Sequence, residues 1–218
     1  MPYALKLTRD TVVAGATRRL PPLNRVLYVL DGDVVAAVDG TESRIATDTG
    51  WHSPRACTVT AGARGAIVLR YELLRGDSAD SGMATGVTST VLIEHPIDLD
   101  PATPYLMRND RVDFELGGVA LRHRHKGGGI RCLVLGTMDL RVDGHPDRVI
   151  GPGGAWFESG REPVYAAASP TEPTAFIRVS ILPREIRGQS SIMYVDPADA
   201  ARSKPRKYTV FVDAPIEI

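Results

Sequence analysis

The stretch "LRHRHKGGGIRCLVLGTMDLRVDG", residues 121–144, holds two short apolar runs split by one glycine and ends on a Val-Asp-Gly turn signal. Branched apolar residues in runs this short, closed by glycine, favour strands over helices. The pattern occurs earlier as well. "VLYVLDGDVVAAVDG" (26–40) lies over "IRCLVLGTMDLRVDG" (130–144), with Gly32 on Gly136 and Val38-Asp39-Gly40 on Val142-Asp143-Gly144. "DTGWHSPRACTV" (48–59) then lies over "PGGAWFESGREPVY" (152–165), Trp51 on Trp156, and "GAIVLRYELL" (65–74) over "TAFIRVSILP" (174–183). Matches in the same order at a nearly constant offset describe an internal duplication.

Glycine (21) and proline (16) punctuate all 218 residues at short intervals, so few segments could sustain a helix. The expected fold class is therefore all-β, as two sandwich- or barrel-like domains in tandem. The boundaries read as 1–78 and 89–218, joined by a linker at 79–88 within the small, polar surroundings of "GDSADSGMATG" (76–86). Lys plus Arg (26) equals Asp plus Glu (26), which gives no electrostatic reason for a nucleic-acid or membrane partner. The basic run "RSKPRK" (202–207) reads as a solvated connector. Cys57 and Cys132 lie in apolar runs without a Cys-x-x-Cys, as buried reduced thiols do. No secretory signal or membrane-length apolar run is visible, and a soluble, cytoplasmic protein is expected.

Side chains alternate along a strand, so His123 and His125 project from one face while Arg122 and Arg124 project from the other. If the shared face points into a small barrel, the two imidazoles are close enough for one first-row metal ion. The alternative is an exposed pair on a basic strand end.

The C-terminal half resembles the cupin superfamily. That family's first motif is a His-x-His pair followed by a Glu and a Gly, and here it reads "HRHKGGGIRCLVLG", His123 to Gly136. Its second is Pro-x-Gly, then a His and an Asn, and here it reads "PGGAWFESGREPVYAAAS", Pro152 to Ser169. The resemblance covers residues 105–183 well and 20–74 weakly, and implies a bicupin of two double-stranded β-helix (jelly-roll) barrels. It places His123 and His125 at metal-ligand positions, with Fe, Mn, Ni or Zn as the divalent transition metal. The Glu position falls on Gly129 and the second-motif His on Tyr165. The N-terminal copy has no His-x-His. Its Glu position is Arg25 and its lone His52 matches Phe157, so it is expected to be metal-free.

Arg131 lies two residues beyond Gly129 on the same face. A buried arginine needs an anion. Either a ligand carboxylate or an internal salt bridge to Glu158 or Glu162 would serve. Glu158 shares a face with Trp156 and could be a third ligand, a general base or the partner of Arg131. Tyr165 stands as a second proton carrier or ligand, and Trp156 as packing or a ligand platform. Phe157, Phe176, Leu133 and Leu135 read as core, and the run "KGGG" as room for a ligand. His95 and His145 read as surface residues.

No helix pair for DNA and no Ser-His-Asp set is visible. Fold alone leaves three functions open. One is a metal-dependent dioxygenase, isomerase or decarboxylase acting on a small carboxylated or hydroxylated metabolite, with an anionic ligand expected. The second is a binding protein with a degenerate metal site. The third is an assembly role, with a homodimer built through the apolar tail "KYTVFVDAPIEI" (207–218).

Overall fold

Each repeat turns on a glycine that only glycine can occupy. Gly32 and Gly136 hold φ of +75° and +69°. A Cβ there would lie 2.0 Å from the Gly65 carbonyl oxygen and 2.4 Å from that of Pro173. The equivalent turn glycines Gly40 and Gly144 are also left-handed, at +79° and +78°, but face open space. The computed structural model describes residues 3–76, 84–202 and 204–218. Among them the chain is almost wholly antiparallel β and divides at Asp100/Pro101.

The first unit contains β1 (Tyr3–Val12), β2 (Thr17–Leu20), β3 (Arg25–Val38), β4 (Thr41–Ala46), β5 (Thr49–Ser53), β6 (Cys57–Arg75) and β7 (Val87–Ile97). The order is β4-β3-β6-β1-β7, with β5 on β3 and β2 on β6. The long strands β3 and β6 carry register shifts between Val29 and Asp31 and between Gly32 and Val34, where the chain bends. The second unit contains β8 (Tyr105–Phe114), β9 (Val119–His125), β10 (Gly129–Leu135), β11 (Met138–Val142), β12 (Arg148–Ile150), β13 (Ala155–Glu158), β14 (Val164–Ala168), β15 (Thr174–Pro183), β16 (Ile192–Tyr194) and β17 (Arg206–Ile216). It forms two five-stranded sheets, β13-β10-β15-β8-β17 and β12-β11-β14-β9-β16. Val112, Leu133, Met138, Trp156 and Phe176 pack between them, with Phe176 edge-on to Trp156 at 5.5 Å.

Strand pairing reproduces the duplication. Leu27 faces Trp51 and Arg70, and Arg131 faces Trp156 and Arg178. The last segments match one residue away from their sequence alignment: Ala66, not Gly65, corresponds to Thr174, so Arg70 corresponds to Arg178. The domain boundary also moves. Residues 89–97, expected with the later domain, pair with β1 along β7 and belong to the first unit. Of the expected linker 79–88, residues 79–83 lie outside the described residues, and Val87 and Thr88 already belong to β7. Both cysteines are buried free thiols. No described helix is long and apolar enough to cross a membrane. Two core expectations are corrected: Leu135 is 44% exposed, past a register shift between Leu133 and Leu135, and Phe157 is only half-buried because it alternates away from the packed face.

The first unit's interior is charged. Glu72 takes Arg25 Nε and Nη2 on one oxygen, at 3.0 and 2.9 Å, and Arg70 on the other. Arg70 Nε reaches Asp10 at 2.8 Å, and Arg18 meets the same aspartate at 3.4 Å. All are buried.

The two turn glycines give a paired test. Gly136→Ala adds a clash to a left-handed strain and is expected to cost about 3 kcal/mol in urea unfolding. Gly144→Ala carries the backbone strain alone, about 1 kcal/mol. Equal losses would show that the close approach to Pro173 is not what fixes the turn.

Candidate functional site

On β9, His123 and His125 are buried while Arg122 and Arg124 face outward, to Asp143 and to the Arg161 carbonyl. The expected alternation holds because a bulge between His123 and Ala120 sets its phase. The imidazoles meet edge to face, with Nε2 atoms 3.2 Å apart. Nδ1 of His123 donates to the Leu121 carbonyl at 2.6 Å, which leaves its Nε2 as the lone-pair nitrogen of a neutral ring. His125 Nε2 also lies 3.2 Å from Glu158 Oε2, and its Nδ1 lies 3.4 Å from Ser191 Oγ.

Glu158 sits on β13 opposite Gly129. Its Oε1 accepts from Trp156 Nε1 at 2.7 Å, and Oε2 lies 2.8 Å from Arg131 Nη2. Of the choices open to Arg131, the structure takes the internal salt bridge to Glu158. Trp156 both packs in the core and orients that carboxylate. Burial would raise the Glu158 pKa, but the Arg131 charge and the hydrogen bonds from His125 and Trp156 outweigh it and hold the group well below 4.5. Burial drives His123 below 6.5 and brings His125 down to about 3. At neutral pH the set is two neutral imidazoles and one Arg–carboxylate pair.

Two sequence expectations are corrected. Tyr165 alternates outward from β14, where the exposed Arg141 lies over its ring at 5.4 Å. The residue facing His123 is Val164, so a hydrocarbon occupies the place assigned to a ligand or proton carrier. The glycine run gives strand approach rather than space for a ligand. A Cβ on Gly129 would meet Ser180 Oγ at 2.5 Å, and one on Gly127 the Ile181 carbonyl at 2.2 Å.

Sequence reasoning did not single out several residues around the chamber. Arg178 is buried and paired with Asp110 at 2.9 and 2.5 Å. Arg206 spans the Val119 carbonyl and the hydroxyls of Tyr194 and Tyr208. β16 lies against β9, with Ile192 opposite His125 and Tyr194 opposite His123. Arg206, Ile192 and Tyr194 belong to strands beyond the repeat, and the one visible signal of Arg178 is a charged residue at an inward position of an apolar strand. The chamber lined by the histidines, Arg131, Trp156, Glu158 and Arg206 has a free volume of ≈ 30 Å³. That holds about one or two water molecules.

The donor chemistry fits a metal ion at two positions. Nitrogens 3.2 Å apart are spaced like neighbouring ligands around an ion that binds imidazole at about 2.0–2.1 Å. A proton on His125 Nδ1, toward Ser191, would leave both Nε2 atoms as donors. The third candidate donor is Glu158 Oε2, which is buried near Arg131 and His125 yet makes no hydrogen bond, although the carboxylate charge is already balanced by Arg131. Among the described residues no three His, Cys, Asp or Glu side chains form a metal-ligand group.

No protein-family model matches the sequence, and no curated protein does. Solved structures do. Oxalate decarboxylase from Bacillus subtilis at pH 4.6 superposes with TM-score 0.67 at 10% identity, covering 93% of this chain and 79% of that one. The same decarboxylase, in work on its Mn(II) centres, gives 0.65 at 11% identity, covering 91% and 73%. AerE from Microcystis aeruginosa gives 0.60 at 11%, covering 83% and 87%. At this identity the likeness establishes the fold: the chain is an all-β protein of two cupin-type barrels in tandem.

The Glu158 cluster makes two predictions. Glu158→Gln and Arg131→Met should each cost about 3 kcal/mol, because each strands a buried partner. The double variant should cost clearly less than their sum, and additive losses would show that the pair is uncoupled. The second concerns acid. His125 resists protonation in the fold, so stability is retained above 6.5 and lost as pH falls from there toward about 3. Glu158, lowered from 4.5, adds further loss below that pH. Unfolding free energy measured against pH should fall by up to about 1.4 kcal/mol per unit from His125 alone. His125→Gln should flatten that slope, and an unchanged slope would rule His125 out as its source.

Proposed function

We propose that the second barrel binds a small carboxylated or hydroxylated metabolite and acts on it as an enzyme of the dioxygenase, isomerase or decarboxylase type. His123 and His125 would hold a divalent transition metal, Fe, Mn, Ni or Zn. The observation that carries the reading is the pair of neutral imidazole nitrogens 3.2 Å apart inside the barrel. The fold shared with a decarboxylase that has Mn(II) centres is in keeping with it. Such an ion supplies Lewis-acid polarisation of a bound oxygen. Glu158, ionised and aimed by Trp156 and Arg131, is the group placed to accept a proton from a molecule in the chamber. Arg131 serves by holding Glu158, and Tyr165 takes no part because it faces outward. A cytoplasmic homodimer joined along β17, which ends its sheet, belongs to the same proposal. Light scattering of the purified chain tests the dimer.

A second reading has its own observation. Arg131 balances the Glu158 charge, so the buried charges sum to zero without a cation, as a binding protein without turnover would have it. Elemental analysis after reconstitution with Mn(II), Fe(II), Ni(II) or Zn(II) separates the two. About one ion per chain, lost in a folded His123→Ala/His125→Ala variant, is expected from the first. Folded wild-type protein that retains no ion overturns it and leaves the second.

A further inference from the structure

Beside the histidine chamber is a larger cavity of ≈ 320 Å³, and Arg178, Ile192 and Tyr208 line both. This volume is at the lower end for sites that take small metabolites. Its walls come from the inward faces of β8 and β15, from residues 188–192 and from β17.

The charges on those walls select the ligand. Arg108 gives Nε and Nη2 to the two oxygens of Asp213 at 2.9 and 3.1 Å. It also donates to the carbonyls of Gln189 and Ile186 at 2.7 and 3.0 Å. Arg178 gives Nε and Nη2 to Asp110 at 2.9 and 2.5 Å. Each guanidinium therefore faces its own carboxylate in a two-bond fork, and the pairs sum to zero charge. A ligand anion would have to displace an aspartate and then lie beside it. A neutral ligand meets no such cost, and the carboxylates keep lone pairs that can accept from its hydroxyls. Ser190, Ser191 and Gln189 add polar groups to the rim, while the Tyr208 ring, Ile192 and Val210 supply an apolar face.

We propose that this cavity holds a neutral, hydroxyl-rich molecule of about monosaccharide size, reaching past Ser191 toward His125. The inference rests on the reading that the second barrel is a ligand-binding site, and narrows its substrate class from carboxylated or hydroxylated to hydroxylated and uncharged. Ser191 is the link: it lines the cavity, and its hydroxyl stands 3.4 Å from His125 Nδ1.

Isothermal titration and saturation-transfer NMR on the full chain test this, with methyl glucoside as the neutral probe and glucuronate as its carboxylated counterpart. Saturable binding of the glucoside is expected, with glucuronate at least about tenfold weaker. Asp213→Asn releases the Arg108 charge and should strengthen glucuronate binding about tenfold, a gain that loss of structure could not produce. Val210→Trp fills the cavity from an exposed strand position and should abolish binding of both probes. Metal content measured on the same wild-type protein separates this inference from metal loading. Tighter binding of glucuronate by the wild type, failure of both probes to bind, or undiminished binding by Val210→Trp overturns it. Retained metal alongside any of those results leaves the metal reading standing and this one lost.

Discussion

Burying the Glu158 carboxylate is the constraint on which the inner chamber depends. An isolated carboxylate at that depth would cost far more than the domain's net stability. Each neighbour reflects a way of meeting that cost. Arg131 supplies the opposite charge, Trp156 a donor from the same strand face, and His125 an N–H in one of its neutral tautomers. Charging either imidazole would disturb this balance, and burial already opposes it. The histidines are kept neutral by the same low-polarity surroundings that make the ion pair necessary.

The first unit shows that the scaffold does not require this centre. By strand pairing, Ser53 stands where Glu158 does, Leu27 where Arg131 does, and Arg25 where Gly129 does. Its buried arginine lies one alternate position earlier on the strand, and the carboxylate comes from the other neighbouring strand, as Glu72 on β6. One feature is common to both units: an arginine on the long return strand, Arg70 or Arg178, held by an aspartate from the first strand, Asp10 or Asp110. Both barrels thus close around ion pairs as well as hydrocarbon. One fills its centre with arginine, and the other leaves room for two imidazoles.

This comparison explains what the sequence could disclose. Period-two apolar runs, turn glycines and the duplication sufficed for an all-β tandem fold, because Gly32 and Gly136 are fixed by backbone sterics that no other residue meets. The inward phase of His123, His125, Arg131, Trp156 and Glu158 was legible for the same reason. Side-chain alternation carries that phase along a strand until a bulge interrupts it, as between Ala120 and His123 and between Leu133 and Leu135. Between strands it carries nothing. A count from Gly154 to Tyr165 crosses a turn, and an error of one residue put a phenol where Val164 stands. The boundary at 79–88 failed differently. Composition marks where a chain is flexible or polar, but β7 is assigned by its hydrogen bonds to β1. Arg108, Asp110, Arg178 and Asp213 escaped notice because long-range partners, up to 105 residues apart, leave no local pattern.

Ser191 joins the two cavities of the second barrel through a single hydroxyl. A serine can donate to an imidazole nitrogen or accept from it. When Ser191 donates to Nδ1, the proton of neutral His125 sits on Nε2 and serves Glu158, the arrangement that needs no cation. When Ser191 accepts, the proton sits on Nδ1, and both Nε2 atoms present lone pairs to the chamber. The choice between an ion-free network and a two-nitrogen metal seat therefore comes down to the orientation of one O–H, at a position that also lines the larger cavity. A molecule in that cavity that hydrogen-bonds Ser191 acts on the imidazole pair without touching it, by fixing which nitrogen of His125 carries the proton.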